Sequence, residues 1–542
     1  MHNTASSPAR THRGVIKKTA ALLAASALTF GLSACSSDDS GNAIVYVNGT
    51  EPQRLLIPGD TSENGGGRIV DMLYSGLVYY DANGIVHNEL AESIDLEGDK
   101  TYKVTLKPDK KFADGTPVKA SNFVDAWNHV VANDQMTESF FAPIEGYSED
   151  ATELSGLKVL DDRTFTITLN QPEADFPTRL GYNAFFPLPD NAYDDEEAFG
   201  RNPNGNGPYK LEAWDGSQSI SLVPNENYDG PRKPKNDGVM FTFYARPDAA
   251  YADLLSDNLD VLDAIPTGSL ANYQNELPGR SVSQPVATYQ ELSLPEREAH
   301  FAGEEGRLRR KALSMSIDRD SITNKLFYGT RTPARDFTSP VIDGYNPNLK
   351  GNEVLMYNPK EAKKLWAQAD AISPYDGTLE IAYDVDGGHQ EWVDAVANQI
   401  RNNLGIEAVG RPYPDFKSYR NDIKSKTIKG AFRTGWFADY PSLGNFLVPN
   451  FVSTSSSNDS GYNNPEFDAL MTKAAGQPTP EESNKLYEES NKLYNEGQEI
   501  MLQDLPAIPL WYPNVVGGWS NNVDNVTFNW KSLPEYYAIT KN

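Results

Sequence analysis

Residues 379–409 place a strand pattern, a helix pattern and a second strand pattern in direct succession. The helix is marked by apolar residues spaced three and four apart, namely Val393, Val396, Ile400 and Leu404. Gly405 follows them and supplies a left-handed stop before the strand at 406–409. Two strands joined through a helix form a parallel pair in one sheet. The chain is therefore predicted to contain an α/β domain.

Other segments of the chain fit the same class. Alternating residues predict strands at 102–106, 164–169 and 239–244. Ser121 is predicted to cap a helix that carries four apolar residues on one face, which are Phe123, Trp127, Val130 and Val131. With 542 residues, the chain has the length of about three domains.

Two further local patterns support predictions from residue type alone. Asn358-Pro359 is predicted to open a helix, because asparagine caps helices and proline fits their first turn. The glycine run Gly65, Gly66 and Gly67 has no Gly-x-Gly-x-x-Gly frame and no following lysine. It is therefore interpreted as a flexible turn and not as a phosphate cradle.

The amino terminus has the pattern of a secretory signal. Four basic residues precede an apolar run at 19–30, and the run ends in Leu-Ser-Ala-Cys at 32–35. This ending resembles the lipobox of bacterial lipoproteins, and Cys35 is the one cysteine in the sequence. We expect a signal at 1–34, a lipid on Cys35 and a solvated tether at 35–42. The alternative is an ordinary signal peptide with a chance cysteine.

The rest of the chain is expected to lie outside the cell membrane, held there by lipid. No later segment approaches the ~18 continuous apolar residues that a membrane-spanning helix needs. The expected location is thus the extracytoplasmic face of the cell membrane.

Charge and composition exclude several classes of function. The 75 Asp and Glu against 48 Lys and Arg give a net charge of −27 with no basic stripe, which argues against nucleic acid as a partner. One cysteine excludes an internal disulfide and zinc sites built on paired cysteines. The six histidines contain no i,i+4 pair, and no Gly-x-Ser-x-Gly elbow is present. We therefore expect no metal, no cofactor and no catalytic residues.

Several blocks of sequence, in a fixed order, resemble one protein family. They read Tyr-Lys-Val-Thr-Leu-Lys-Pro-Asp from 102, Phe-Ala-Asp-Gly-Thr-Pro-Val from 112, Asn-Gly-Pro-Tyr-Lys-Leu from 206 and Gly-Trp-Phe-Ala-Asp-Tyr-Pro from 435. Together they resemble the peptide-binding solute receptors of ABC importers, solute-binding family 5. The last block is the most specific of the four.

The resemblance implies a two-lobed α/β fold of the periplasmic-binding-protein type, class II, with an additional third domain and mixed β-sheets flanked by helices. Lobe I is expected to comprise 43–66, 185–286 and 505–542. The additional domain II is expected at 67–184, and lobe II at 287–504. The ligand is expected to lie between the two lobes.

The resemblance also implies a set of binding residues. Asp439 corresponds to the aspartate that pairs with a peptide's α-ammonium group in oligopeptide-binding members. A carboxylate in a dry cleft is costly alone, so a ligand cation is a natural partner. The alternative is that Asp439 serves as a structural cap or a helix-end charge.

Two segments match those that pair with the peptide backbone as added strands. The first comprises Glu51, Pro52 and Gln53, and the second comprises Thr434, Gly435, Trp436 and Phe437. Main-chain pairing gives affinity without reading side chains, which suits a receptor for many sequences. Leu-Leu-Ile-Pro at 55–58 replaces a common Leu-Asp-Pro, which leaves the geometry beside Glu51 open.

Three more residues carry expectations from the family. Arg433 matches an arginine that meets a short peptide's carboxylate, although it can equally balance a neighbouring carboxylate. Phe416 stands where close relatives carry a tryptophan in the cleft wall, and Trp436 is the motif's own aromatic residue. At the position of Phe437 some relatives carry a disulfide cysteine, and this chain has no cysteine there.

The expected function is a monomeric extracytoplasmic lipoprotein that captures peptides and delivers them to ABC transporter permease subunits. The ligand is expected to be bound and not transformed. A receptor of the same fold for an oligosaccharide, haem or nickel is an alternative, although the scarcity of histidine argues against nickel. A secreted hydrolase is a more distant alternative.

Overall fold

A computed structural model describes residues 43–148, 150–385, 387–476 and 488–542. The predicted signal, the tether and Cys35 lie outside these residues. Within the described residues, no helix is both long and apolar enough to cross a membrane.

Strands are found along the whole described chain. They are β1 (Ile44–Gly49), β2 (Val78–Tyr80), β3 (Val86–Asn88), β4 (Ala91–Glu97), β5 (Thr101–Leu106), β6 (Leu157–Asp161), β7 (Thr164–Thr168), β8 (Tyr209–Asp215), β9 (Ser219–Pro224), β10 (Gly238–Phe243), β11 (Val261–Leu262), β12 (Ser281–Pro285), β13 (Thr288–Ser293), β14 (Arg331–Pro333), β15 (Leu379–Asp384), β16 (Ala408–Tyr413), β17 (Ala431–Phe437), β18 (Ala507–Trp519), β19 (Val523–Asp524) and β20 (Thr540–Lys541). The three strands predicted at 102–106, 164–169 and 239–244 correspond to β5, β7 and β10 within one residue at each end.

Helices alternate with these strands. They are α1 (Asn64–Leu73), α2 (Ala120–Ala132), α3 (Phe176–Arg179), α4 (Glu196–Arg201), α5 (Pro247–Leu255), α6 (Tyr273–Glu276), α7 (Gly303–Ser316), α8 (Arg319–Lys325), α9 (Pro359–Ile372), α10 (Gln390–Leu404), α11 (Phe416–Lys424), α12 (Leu443–Phe451), α13 (Pro465–Ala475) and α14 (Glu488–Asp504). The predicted cap Asn358 begins α9, where its side chain accepts a hydrogen bond from the Glu361 N–H at 3.2 Å.

The largest sheet is mixed and has the order β16-β15-β17-β13-β18-β11-β1-β10-β9-β8, with β12 and β14 also paired to β18. The predicted strand–helix–strand unit is present, since β15 and β16 are parallel and α10 connects them. Gly405 ends α10 with φ of 78°, which is the left-handed conformation expected of it. The prediction of an α/β chain with mixed sheets and flanking helices is confirmed.

Strand β18 is shared between two parts of this sheet. Its first half pairs with β13 and β14, up to Pro513, and its second half pairs with β12 and β11 from Asn514 onward. The buried apolar residues also divide into two large clusters, one dominated by residues up to Val286 and one by residues 287–512. The chain thus crosses from one core to the other next to Val286 and again next to Pro513.

A second sheet, β4-β5-β7-β6, carries α2 and an aromatic core. Phe123, Trp127 and Phe165 are fully buried there, with ring centroids 5.8 to 6.2 Å apart. The predicted helix is confirmed, but the predicted cap is wrong. Ser121 lies inside α2, and the first turn is closed instead by Asn122, whose side chain accepts from the Lys119 N–H at 2.8 Å.

The interpretation of Gly65, Gly66 and Gly67 as a flexible turn is wrong, because all three lie in the first turns of α1. Glu63 caps this helix, and its carboxylate accepts from the N–H groups of Gly65 at 2.6 Å and Gly66 at 2.8 Å. A Cβ at Gly65 would lie 2.6 Å from Thr50 Oγ1. Glycine is therefore needed where the start of α1 approaches the end of β1.

Candidate functional site

Strand β17 carries the Gly-Trp-Phe motif and has one largely open edge. On one side β13 pairs with it from Phe432 to Phe437. On the other side β15 pairs with it only at Ala431 and Phe432. Among the described residues, no strand pairs with β17 on that second side beyond Phe432.

The hydrogen bonds around β17 show which backbone groups face the open edge. The Ala438 N–H donates to Ala287 O at 2.9 Å, on the β13 side. Since backbone groups alternate in direction along a strand, those of Gly435 and Phe437 point to the opposite side. The Tyr419 hydroxyl donates to Arg433 O on that same side, which agrees with the alternation. Gly435 and Phe437 thus offer backbone groups that an extended chain could pair with.

Contacts with β13 explain why residue 435 is glycine and why this edge is held in place. A Cβ placed on Gly435 would come well inside van der Waals contact with Tyr289 O, so β13 and β17 can approach this closely only with glycine there. The Gln290 side chain donates to Thr434 O, which ties the next peptide group to β13.

Asp439 follows β17 and is held by Asn445 of α12. The Asp439 N–H donates to Asn445 Oδ1 at 3.0 Å, and Trp436 Nε1 donates to the same oxygen at 3.2 Å. Asn445 Nδ2 donates to Asp439 Oδ2 at 3.4 Å, which is the one hydrogen bond to this carboxylate among the described residues. Ser442 caps α12, so Asp439 does not serve as that helix's cap.

Burial raises the pKa of the Asp439 carboxyl, whereas the positive charge of Lys531 and the hydrogen bond from Asn445 lower it. Burial dominates, and the net shift is upward. The carboxylate is thus weakly satisfied by the protein, and a cation beside it would stabilise its charged form.

Lys531 comes from the carboxy-terminal segment and lies next to Asp439. Its Nζ donates to the backbone oxygen of Asp439 at 3.3 Å. The same ammonium lies 5.2 Å from the ring centroid of Tyr182 and 5.5 Å from that of Trp530, within the range of cation–π attraction. Sequence reasoning did not identify Lys531 or Asn445, because neither lies in a motif.

Residues of α1 and residues at the end of β17 both line the space around Asp439, which we call the cleft. The cleft has about 950 Å³ of empty space, which includes volume open to solvent. Its walls include Glu63 and Asp71 of α1 on one side, Phe437 and Asp439 on the other, and Lys531 between them. Phe437 is 39% exposed, so its ring is available to a ligand.

Arg433 is engaged by a protein carboxylate. Its Nε donates to Asp384 Oδ1 at 2.7 Å, and its guanidinium lies over the rings of Phe416 and Tyr419 at 5.5 and 5.4 Å. Burial alone would raise the pKa of Asp384, but the hydrogen bond and charge of Arg433 bring it below its usual value. The structure thus pairs Arg433 with a neighbouring carboxylate, and its contact with a peptide's carboxylate stays a prediction.

The remaining predicted residues lie around these elements. Phe416 begins α11 and is 49% exposed. Glu51 and Gln53 are exposed and Pro52 is buried, in the irregular segment after β1. The Gln53 N–H donates to Glu63 Oε1 at 3.1 Å, which connects this segment to the α1 end of the cleft.

Comparison with known proteins gives the family. The model of the bacterial extracellular solute-binding proteins, family 5 (Middle), matches residues 86–458. The chain belongs to this family. The resemblance seen in the sequence blocks is thereby confirmed.

Individual known proteins are similar to this chain over most of its length. The periplasmic murein peptide-binding protein MppA of Escherichia coli K12 is 25% identical over 483 residues, covering 85% of this chain and 88% of MppA. A solved structure of MppA in its unliganded open form has a TM-score of 0.77 at 24% identity and covers 92% of this chain and 97% of that one. The Haemophilus influenzae OppA structure in complex with RPPGFSPFR has a TM-score of 0.70 at 24% identity, covering 92% and 99%. The predicted periplasmic-binding-protein fold is thus confirmed.

Proposed function

We propose that this protein is an extracytoplasmic receptor that captures peptides and hands them to the permease of an ABC importer. The observation that carries the proposal is Asp439, a weakly satisfied carboxylate beside the open edge of β17. An extended peptide needs these two elements, a counter-charge for its amino group and a strand edge for its backbone.

In this proposal the peptide is held by one charged contact and by hydrogen bonds to its backbone. Asp439 pairs with the α-ammonium of the peptide, and Asn445 orients the carboxylate. Gly435 and Phe437 exchange backbone hydrogen bonds with the peptide, while the segment Glu51, Pro52 and Gln53 pairs with it from lobe I. The rings of Trp436 and Phe437 then contact side chains without strict selection, since aromatic surfaces accept many partners.

Relatives support a peptide as the ligand. MppA is named as a murein peptide-binding protein, and the Haemophilus influenzae OppA structure holds the peptide RPPGFSPFR. Since these relatives are binding proteins, we propose that this protein releases its ligand without changing it chemically.

Closure is proposed to occur about the shared strand β18. The two apolar cores meet next to Val286 and Pro513, so rotation there would bring Glu63 and Asp71 toward β17 without disrupting either core. The proposed lobes are 43–66, 185–286 and 505–542 for lobe I and 287–504 for lobe II, with domain II at 67–184. The change of partner within β18 supports a hinge at 513–514, and in that proposal residues 505–513 move with lobe II.

The amino terminus supports an attachment to the membrane. We propose that Cys35 carries a diacylglycerol and that the protein acts as a lipid-anchored monomer on the extracytoplasmic face. Two acyl chains hold a protein on a bilayer far more stably than one.

The test of the function is the identity of the native ligand. The protein would be purified without denaturation from its own host, and the released ligand would be analysed by mass spectrometry. A mixture of short peptides is the expected result. A single sugar, haem or bile acid, or a purified protein that turns over a peptide, would contradict the proposal.

A further inference from the structure

A cavity with about 820 Å³ of empty space, which includes volume open to solvent, lies beside the first core and next to the cleft. It shares Arg68, Asp71, Tyr182, Lys531 and Leu533 with the cleft wall, so the two spaces adjoin. We call it the lobe I cavity.

Three of the six charged side chains on the wall of the lobe I cavity are neutralised by ion pairs. Arg68 forms an ion pair with Asp263 at 2.6 Å. Arg232 forms one with Glu89 at 3.2 Å and also donates to three backbone or hydroxyl oxygens. Neither guanidinium is left to receive an anion.

Two carboxylates and one ammonium remain on the cavity wall. Among the described residues, no hydrogen bond or ion pair reaches the Asp71 carboxylate, and the Glu535 carboxylate accepts a hydrogen bond from Asn529 at 2.9 Å. Burial raises the pKa of Asp71 and of Glu535, and the nearby positive charge of Arg232 offsets this only in part. Against these two negative charges stands Lys531, whose ammonium also lies beside Asp439. With Arg68 paired to Asp263 and Arg232 paired to Glu89, the two remaining carboxylates exceed the one ammonium by a single negative charge.

The rest of the wall is rich in aromatic rings, which also favour cations. They are Tyr79, Tyr80, Tyr182, Trp530, Tyr536 and Tyr537. Lys531 already places its ammonium group near the rings of Tyr182 and Trp530, so these rings form a suitable environment for a cation.

We propose that the lobe I cavity is a subsite for a basic side chain of the ligand, with Asp71 as its counter-charge. The inference rests on the proposed peptide function and specifies its substrate class. Because the cavity adjoins the cleft at Asp71, next to the amino-end contact at Asp439, the basic side chain belongs to the first or second residue of the peptide.

The test compares lysine with norleucine, which has a similar shape and no charge. The six tripeptides are Lys-Ala-Ala, Ala-Lys-Ala, Ala-Ala-Lys and their norleucine counterparts, and binding is measured by calorimetry at neutral pH. We expect lysine to bind at least about 10-fold more tightly than norleucine at the first or second position, and equally at the third. Acetylation of the lysine Nε should remove the preference.

Variants locate the effect. Asp71→Asn should abolish the preference for lysine while retaining the binding of the norleucine peptides, and Asp71→Glu should restore part of it. Asp215→Asn, on the exposed end of β8, is the matched control and should change nothing. Thermal unfolding checks that each variant is folded, and the acetyl-lysine comparison needs no variant at all.

The outcomes separate this inference from the function on which it rests. Equal binding of lysine and norleucine peptides, or a preference that survives in folded Asp71→Asn, would overturn the subsite. If no tripeptide binds the wild-type protein, the proposed peptide function is itself overturned, and the subsite with it.

Discussion

Replacement of Asp439 by asparagine tests the central contact of the proposed site. The carboxylate has a single 3.4 Å hydrogen bond from Asn445, so a bound α-ammonium would be its main partner. A charge-assisted hydrogen bond contributes about 1.5–3 kcal/mol. At 1.4 kcal/mol per decade, Asp439→Asn should weaken peptide binding roughly 10- to 150-fold. The upper part of this range is expected, because Lys531 stays close by and would then repel the ligand's ammonium.

The assay is a double-mutant cycle by calorimetry. The wild type and Asp439→Asn are each titrated with a free tripeptide and with its N-acetylated form. Both changes remove the same interaction, so acetylation should cost the wild type a similar factor and the variant much less. Asp248→Asn, an exposed aspartate on α5, serves as the control and should behave as the wild type. Equal affinity of the wild type for free and acetylated peptide would refute the assignment of Asp439.

Three further predictions concern stability and location. Burial raises the pKa of Glu291 to about 8. The free energy of unfolding should therefore fall as pH rises from the unfolded pKa of 4.5 toward 8, by up to about 1.4 kcal/mol per pH unit. Urea unfolding of Glu291→Gln should lack this dependence on pH. A slope that persists in the variant would assign it to other groups. Gly435→Ala should cost about 1–3 kcal/mol in urea unfolding and weaken peptide binding, because its Cβ overlaps Tyr289 O; unchanged stability would contradict that overlap. Cys35→Ala should release the protein from the membrane or block its processing, as cell fractionation would detect, and normal retention would exclude the lipid anchor.

Local signals in the sequence were sufficient for many elements of the fold. The helix α10 and its glycine stop were predictable because apolar spacing and a left-handed residue act within one segment. The helix α2 was predictable for the same reason, but its exact start was not. There the closing contact comes from Asn122 and not from the serine beside it, and both residues are common near helix starts.

Contacts between segments that are distant in the chain could not be predicted from the sequence. The sequence of the α1 glycines predicted a turn, because it does not show that the chain at the end of β1 packs against them. Arg433 had two equal interpretations until the fold brought Asp384 beside it from another strand. Lys531 lies 92 positions after Asp439 in the chain, and only the tertiary structure joins them.

The open edge of β17 also has a cost for the unliganded protein. An unpaired strand edge is a template for any extended chain, including a second copy of the same molecule, and such edges promote aggregation. Here the exposed stretch runs only from Arg433 to Phe437, and because Tyr419 donates to Arg433 O, just Gly435 and Phe437 direct backbone groups outward that no other residue binds. In the proposed binding mode, a ladder this short holds a peptide only when Asp439 adds its charge. The proposed contact with a free amino end would thus keep the protein from pairing with the interior of other proteins.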